Sequence, residues 1–350
     1  MKLHRMQLPR EVIVGKETLL LVSDICKRLG FSESVFVVTG PETQHVAGRR
    51  VIDLLQDEGM DVNHLIVASS TIWDVRAVEE RIREFMHQVV LGIGGGTKID
   101  VAKLGSARQR IPFISVPTTA SHDGIVSSVA ALKGLKKPYS VMAQSPMAIV
   151  ADTNIIIQSD YRFTASGCGD VISKFTAVQD WELAHNAKNE YYGEYAASLA
   201  LMSAKLVMKN ADIIKPRVEE GLRVVLEALI SCGVAMSIAG SSRPCSGSEH
   251  LFSHALDVVA PNKAMHGEQC GVGTIMMACL YEMDWKGIKS TLRRAGAPTT
   301  AEELGVEPEA VVEALVLAGK IRPERYTILD EKRLSRDSAE KLAKDTGVID

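Results

Sequence analysis

The sequence predicts an α/β domain built on a parallel sheet, followed by an all-α domain. Three observations predict it. Short apolar runs alternate with amphipathic stretches through the first part of the chain, which is the pattern of strands joined by crossover helices. After about residue 160 the composition turns rich in Ala, Leu, Met, Glu and Lys with few breakers, and helical periodicity dominates. The length of 350 residues, at about 150 residues per domain, suits two domains. We therefore expect an α/β domain over 1–160 and a helical domain over 161–350, with a ligand cleft between them.

Taken in order, residues 34–39 (SVFVVT) are an apolar run stopped by Gly40-Pro41, as in a buried strand ending in a turn. A helical stretch follows over 43–59, then a second strand at 64–68 (HLIVA) and an amphipathic segment over 74–87. A third strand at 89–93 (VVLGI) runs into three glycines, and a fourth at 112–116 (PFISV) ends at Pro117. Residues 126–131 and 139–150 are candidates for further strands. In the second half, 165–240 reads as helix, with further helical segments near 247–259, 267–281, 307–319 and 335–346.

Composition excludes several classes. Forty Lys+Arg against 43 Asp+Glu give a net charge of -3, without the basic face that nucleic-acid phosphates demand. No run of 18 residues is continuously apolar, so no membrane span is expected. The opening MKLHRMQLPREVIVG lacks an apolar signal core, and the six cysteines form no CxxC pair, a pattern of reduced thiols in the cytoplasm.

Three places carry chemistry. In VVLGIGGGTKIDVAK a strand ends in Gly94-Gly95-Gly96 and a helix starts near Thr97. Glycines there let backbone N–H groups approach a phosphate at a helix N-terminus, although a plain tight turn uses the same residues. The stretch is neither GxGxxG nor a Walker loop, and it follows the third expected strand rather than the first. Next, ISVPTTASHDGIVSS leaves the fourth strand with Thr118, Thr119, Ser121 and Ser127 able to hydrogen-bond a nucleotide and Asp123 able to anchor a substrate hydroxyl. Such a stretch also occurs as an ordinary polar loop.

The third place is assembled from separate pieces. His250 and His254 lie four apart in SGSEHLFSHAL, which puts both imidazoles on one helical face. Residue 251 is Leu, so this is not a zinc-protease HExxH. His266 follows in HGE, and GCGDVISK places Asp170 at the start of the first long helix of the helical half. One Asp and two His suit a catalytic divalent metal, zinc or iron, whereas an isolated HxxxH pair is commonly surface or core. Three of nine histidines within 17 residues favour the metal. His122 sits beside Asp123, and the remaining histidines read as structural. The runs Arg322–Arg325 and Glu331–Arg336 read as solvated helix ends, and Lys133, Lys136 and Lys137 as a solvated turn.

GIGGGTKID, PTTASHDG, GCGDVISK and the His250/His254/His266 array, in this order and spacing, resemble the iron/zinc-dependent polyol dehydrogenase superfamily, which includes glycerol dehydrogenase and dehydroquinate synthase. The resemblance covers nearly the whole chain. Within the superfamily it is greatest to an archaeal branch that reduces dihydroxyacetone phosphate to sn-glycerol 1-phosphate for membrane ether lipids. It implies a Rossmann-like parallel sheet in a dehydroquinate synthase-like arrangement, NAD(P)H as cofactor, one zinc (or iron) per subunit and a homo-oligomer. Gly94, Gly95, Gly96, Thr97 and Lys98 would wrap the pyrophosphate, Asp100 would steady the glycine loop, and Thr118, Thr119, Ala120, Ser121 and Ser127 would line the nicotinamide side. Asp170, His250 and His266 would hold the metal, with Asp123, Asp170 and His254 meeting the substrate and His254 ranked first as proton source.

Two departures bear on the substrate. The SVGGKxxxN stretch of the synthases is replaced by GIVSSVAALKG, which argues against a synthase; glycerol dehydrogenases usually carry Thr where this chain has His122. Thr39-Gly40 offers no carboxylate to exclude a 2′-phosphate, so both NAD and NADP are expected to serve. The alternatives are a dehydrogenase of unphosphorylated polyols and a non-catalytic dinucleotide sensor.

Overall fold

A computed structural model describes residues 6–132 and 139–350. The chain divides into two units, Met1–Tyr161 and Arg162–Asp350. The Lys133/Lys136/Lys137 cluster lies outside the described residues.

The first unit holds strands β1 (Glu11–Gly15), β2 (Ser34–Thr39), β3 (Asp61–Ile66), β4 (Val89–Gly94), β5 (Phe113–Pro117), β6 (Val129–Leu132), β7 (Tyr139–Met142) and β8 (Ala148–Asp152). Six of them form one sheet in the order β1-β8-β5-β4-β2-β3, every pairing parallel. The central strands β4 and β5 are buried along their whole length, which is why they read as unbroken apolar runs. The edges read differently. β3 alternates exposed and covered residues, with Asp61 and Asn63 inside it, so its apolar run HLIVA marks only its second half and the strand begins three residues earlier than expected. β1, at the opposite edge, is the five-residue EVIVG, with only three consecutive apolar residues and none fully buried, and it was not anticipated.

Because β1 precedes them, the glycine triplet follows the fourth strand of the chain, not the third. The segment 139–150 is two strands rather than one: β7 pairs antiparallel with β6 as a separate hairpin, and β8 joins the main sheet. The sheet order reverses beside β2, which has β3 on one flank and β4 on the other. The carboxyl ends of β2 and β4 therefore bound the crevice where open parallel sheets take their ligands.

The second unit is helical: α2 (Tyr161–Ile172), α3 (Lys174–Lys188), α4 (Glu194–Lys209), α5 (Glu219–Ala239), α6 (Ser248–Val259), α7 (His266–Leu280), α8 (Trp285–Arg294), α9 (Pro308–Ile321) and α10 (Arg336–Asp345), where α1 is Gly96–Gln109 of the first unit. α5 is long and apolar enough to cross a membrane by length and composition, yet 67% of its most apolar window is buried inside the protein, as in a core helix.

Candidate active site

In the first unit, α1 starts at Gly96 directly after β4, with Gly95 as N-cap in an extended conformation. Gly94 has φ +152°, a conformation that side-chain-bearing residues rarely adopt, and this turn aims the first amides of α1 away from the strand. The Lys98 and Ile99 amides turn back to the Gly95 carbonyl at 3.0 and 3.2 Å, so the amides before them are the ones a helix start turns toward an anion. The PTTASHDG loop is tied to the same turn: the Thr118 N–H donates to the Gly94 carbonyl at 3.0 Å. Thr118, Thr119, Ala120, Ser121 and Ser127 are all buried there, and the Thr119 hydroxyl has no hydrogen-bond partner. A buried orphan hydroxyl beside an open helix end is what a bound dinucleotide would satisfy.

His122 packs on that helix end. Its Nδ1 accepts from the Gly124 N–H at 2.9 Å, and a Cβ on Gly96 would lie 1.9 Å from its Nε2. The ring thus lies against two backbone segments that only glycine keeps clear. Lys98 reaches the other way: its ammonium donates to the Ala68 carbonyl at 3.0 Å, and its Cε would lie 2.3 Å from a Cβ on Gly40, so it crosses the end of β2.

Asp100 was expected to steady the glycine loop, and here the structure corrects the reading. Its two oxygens accept from Lys103 Nζ at 2.9 Å and from the Ala131 N–H at 3.0 Å, so it faces the β6 side of α1. Lys103, which sequence reasoning missed, is fully buried and also donates to the Gly124 carbonyl at 2.6 Å and the Val129 carbonyl at 2.7 Å. All three ammonium protons are used, and the ligand loop is pinned at its middle and where it enters β6. Lys103→Met strands the Asp100 charge, and breaking a buried pair this way costs about 3–5 kcal/mol. The expected result is a lower thermal midpoint with faster amide exchange over 118–130, largely relieved by adding Asp100→Asn. Unchanged exchange would show that the loop does not depend on Lys103.

In the second unit, α2 and α7 touch backbone to backbone. A Cβ on Gly169 would lie 2.2 Å from the Gly267 carbonyl, and one on Gly267 2.0 Å from the Ser166 carbonyl. This contact brings Asp170, which sits near the end of α2 and not at a helix start as expected, to the residues beginning α7. Asp170 is fully buried, with Lys174 Nζ 2.6 Å and His250 Nε2 3.7 Å from its Oδ1. Burial opposes its charge, but the Lys174 ammonium and then the imidazoles of His250 and His266 hold its carboxyl below the usual range.

Both imidazoles are oriented by neighbours that sequence reasoning did not pick out. Glu249 Oε1 lies 2.8 Å from His250 Nδ1, while the Gly247 N–H at 2.7 Å and the Thr176 hydroxyl at 2.7 Å hold that carboxylate in place. With Nδ1 held by Glu249, Nε2 is the nitrogen that faces Asp170. Ser253 does the same for His266. Its single hydroxyl proton goes to Gln269 Oε1 at 2.6 Å, so its oxygen accepts from His266 Nδ1 at 3.1 Å. Gln269 Nε2 donates to Asp257 Oδ1 at 2.9 Å, which fixes the amide orientation behind this assignment.

The His250 and His266 rings meet edge to face with centroids 4.8 Å apart, and His254 stacks on His266 at 6.0 Å. His254 Nδ1 is buried without a partner; burial, then the two imidazoles, then Arg322 and Arg325 lower its affinity for a proton well below normal. Cys270 Sγ lies 3.6 Å from His266 Nε2, and burial pushes its thiol well up. The Arg322–Arg325 run is not a solvated helix end. Arg325 is half-buried, donating to the Ser246 carbonyl at 2.6 Å and the Ser242 hydroxyl at 2.8 Å.

A parallel sheet with a glycine-started helix, together with a helical unit that gathers a carboxylate and imidazoles, has the architecture of a metal-dependent alcohol dehydrogenase. The family model for iron-containing alcohol dehydrogenases matches residues 13–159. Among solved structures, glycerol dehydrogenase from Schizosaccharomyces pombe is similar with a TM-score of 0.80 at 21% identity, covering 100% of this chain and 94% of that one. Sulfoacetaldehyde reductase from Bifidobacterium kashiwanohense, solved with NAD+, is similar with a TM-score of 0.76 at 20% identity over 100% of both chains. Two curated relatives are named glycerol-1-phosphate dehydrogenase [NAD(P)+]. The one from Pyrococcus furiosus is 55% identical over 99% of this chain and 100% of its own, and the one from Thermococcus sibiricus is 53% identical over 100% and 99%. The chain belongs to the glycerol-1-phosphate dehydrogenase family.

Proposed function

We propose that this protein reduces dihydroxyacetone phosphate with NADH or NADPH to sn-glycerol 1-phosphate, the backbone of archaeal ether lipids. The observation that carries the site is a pair of imidazoles, His250 buried and His266 half-buried, each held at Nδ1 by a neighbour and gathered with the buried Asp170 carboxyl. That donor set fits a divalent metal, and Asp170, His250 and His266 would hold it. When bound, the metal supplies a Lewis acid toward the C2 carbonyl oxygen, and the cofactor supplies the hydride.

The remaining roles belong to the chain. Gly94 to Lys98 receive the pyrophosphate at the start of α1, and Thr118 to Ser121 with Ser127 line the nicotinamide end. Asp123 takes a substrate hydroxyl. His254 is neutral at pH 7, so it passes on a proton by hydrogen bond rather than storing one. The reaction consumes one hydride and one proton per ketone, the proton arriving through His254. Arg322 and Arg325, whose positive fields already act on His254, provide the potential that a phosphate needs.

A homo-oligomer in the cytoplasm is part of the proposal. Tyr195, Met202 and Leu206 form an exposed apolar stripe on α4, and the cysteines are all free thiols. The test offers the metal-replete protein dihydroxyacetone phosphate beside dihydroxyacetone, following NAD(P)H consumption. The phosphorylated ketone is expected to be strongly preferred, and Arg322→Met to lose about tenfold in kcat/KM on it with little change on the other. Preference for dihydroxyacetone would make this a polyol dehydrogenase; binding of cofactor without turnover would make it a sensor.

A further inference from the structure

Lys98 belongs to the start of α1 by its backbone, but its side chain leaves that helix end along the strand ends. A Cβ on Gly94, at the end of β4, would lie 3.0 Å from both Cβ and Cγ of Lys98. A Cβ on Gly40, just past β2, would lie 3.4 Å from Cδ and 2.3 Å from Cε. The ammonium ends 3.0 Å from the carbonyl oxygen of Ala68, two residues past β3. The lysine stem therefore crosses from β4 over β2 to β3 on a track that two glycines keep open. Gly40 has φ -114° and ψ 172°, extended backbone that any residue adopts. Its turn does not require glycine; the Lys98 stem does.

We propose that this track fixes the Lys98 ammonium against the adenosine ribose, where it meets the 2′-phosphate of NADP(H) and sets the preference between the two cofactors. The inference deepens the proposed dinucleotide site at the start of α1 and rests on it.

Position carries it. Where a glycine turn of an open parallel sheet receives the pyrophosphate, the group standing by the neighbouring strand end reads the 2′ position of the ribose. A carboxylate there bonds a 2′-hydroxyl, whereas a cation accommodates a 2′-phosphate. Here the glycine turn follows β4, and the neighbour at the point where the sheet order reverses is β2. β2 ends in Thr39, followed by Gly40, and neither bears a charge. The Thr39 and Thr43 hydroxyls bond each other at 2.9 Å, and Thr43 Oγ1 accepts from the Gly40 N–H at 2.8 Å, so both are occupied in closing the turn. The charge brought to this strand end is that of Lys98. Its bond to Ala68 is to a neutral carbonyl, which sets the place of the ammonium without neutralising it. A cation held beside a phosphate makes a charge-assisted contact that a ribose hydroxyl does not match.

The experiment titrates the full chain with NADPH and with NADH, following cofactor fluorescence, in wild type, Lys98→Met and Gly40→Ala. Lys98→Met keeps an unbranched stem on the track and removes the charge. Gly40→Ala keeps the charge but sets a methyl 2.3 Å from Lys98 Cε, so the stem must leave the track. In each variant, with a circular dichroism spectrum matching wild type, the ratio of NADPH to NADH affinity is expected to fall at least about tenfold. A wild-type ratio in either variant would overturn the proposal. Equal weakening of both cofactors in Lys98→Met would overturn it while leaving the dinucleotide reading of this helix start in place. Unchanged affinity for both cofactors in both variants would overturn that reading as well.

Discussion

Gly96→Ala weakens NAD(P)H binding about 10- to 100-fold, as read by cofactor fluorescence titration. The added methyl falls 1.9 Å from His122 Nε2, a distance at which one of the two groups must move. His122 cannot shift cheaply toward Gly124, because its Nδ1 is bonded to the Gly124 N–H and a Cβ at that glycine would lie 2.3 Å from its Cε1. The ring must leave, breaking that bond, or the first turn of α1 must move and disperse the amides that we propose receive the pyrophosphate. The cause is separable: in a His122→Ala background the three atoms nearest the added methyl are gone, and most of the affinity is expected to return. Equal losses in both backgrounds would place the fault in the helix end itself.

His266→Ala lowers turnover by more than about 1,000-fold while leaving cofactor affinity within about twofold, since a Lewis acid is worth several kcal/mol to the developing alkoxide. The residue belongs to the helical unit and the proposed pyrophosphate site to the other, so the two effects are expected to separate by residue. Metal content of the purified variant, measured by elemental analysis, is expected to fall with activity. Chelation of wild type is expected to do the same and zinc to reverse it. Near-wild-type turnover in His266→Ala with metal still bound would show that His266 is no ligand.

What was legible beforehand follows a physical rule. β2, β4 and β5 are buried on both faces, so each announced itself as an apolar run. β1 and β3 lie at the sheet edges, where one side of each strand meets solvent, and there the first was missed and the second displaced. The site behaved likewise. The glycine triplet, the polar loop and the three histidines could be read because rare residue types were concentrated at chemically telling spacings.

The supporting groups could not be read. Lys103 looks like any helix-surface lysine until α1 buries it against Asp100 and the β6 side, and Arg325 looks solvated until Ser242 and Ser246 close over its guanidinium. Asp100 was placed by motif at the glycine loop, but side-chain direction along α1 turns it toward Ala131 instead. Glu249 was the nearest miss. It stands beside His250 in SGSEH, and a carboxylate next to a candidate metal histidine is a readable sign of an orienting partner.

The central claim is that the product is sn-glycerol 1-phosphate, and its handedness tests that most directly. The product made from dihydroxyacetone phosphate and NAD(P)H would be isolated and offered to a stereospecific sn-glycerol-3-phosphate dehydrogenase with fresh NAD. The expected result, at alkaline pH with a hydrazine trap for the ketone, is no oxidation by that enzyme and clear NADH formation when the product is returned to this protein with NAD. Rapid oxidation by the glycerol-3-phosphate enzyme would mean the opposite enantiomer and would contradict the assignment.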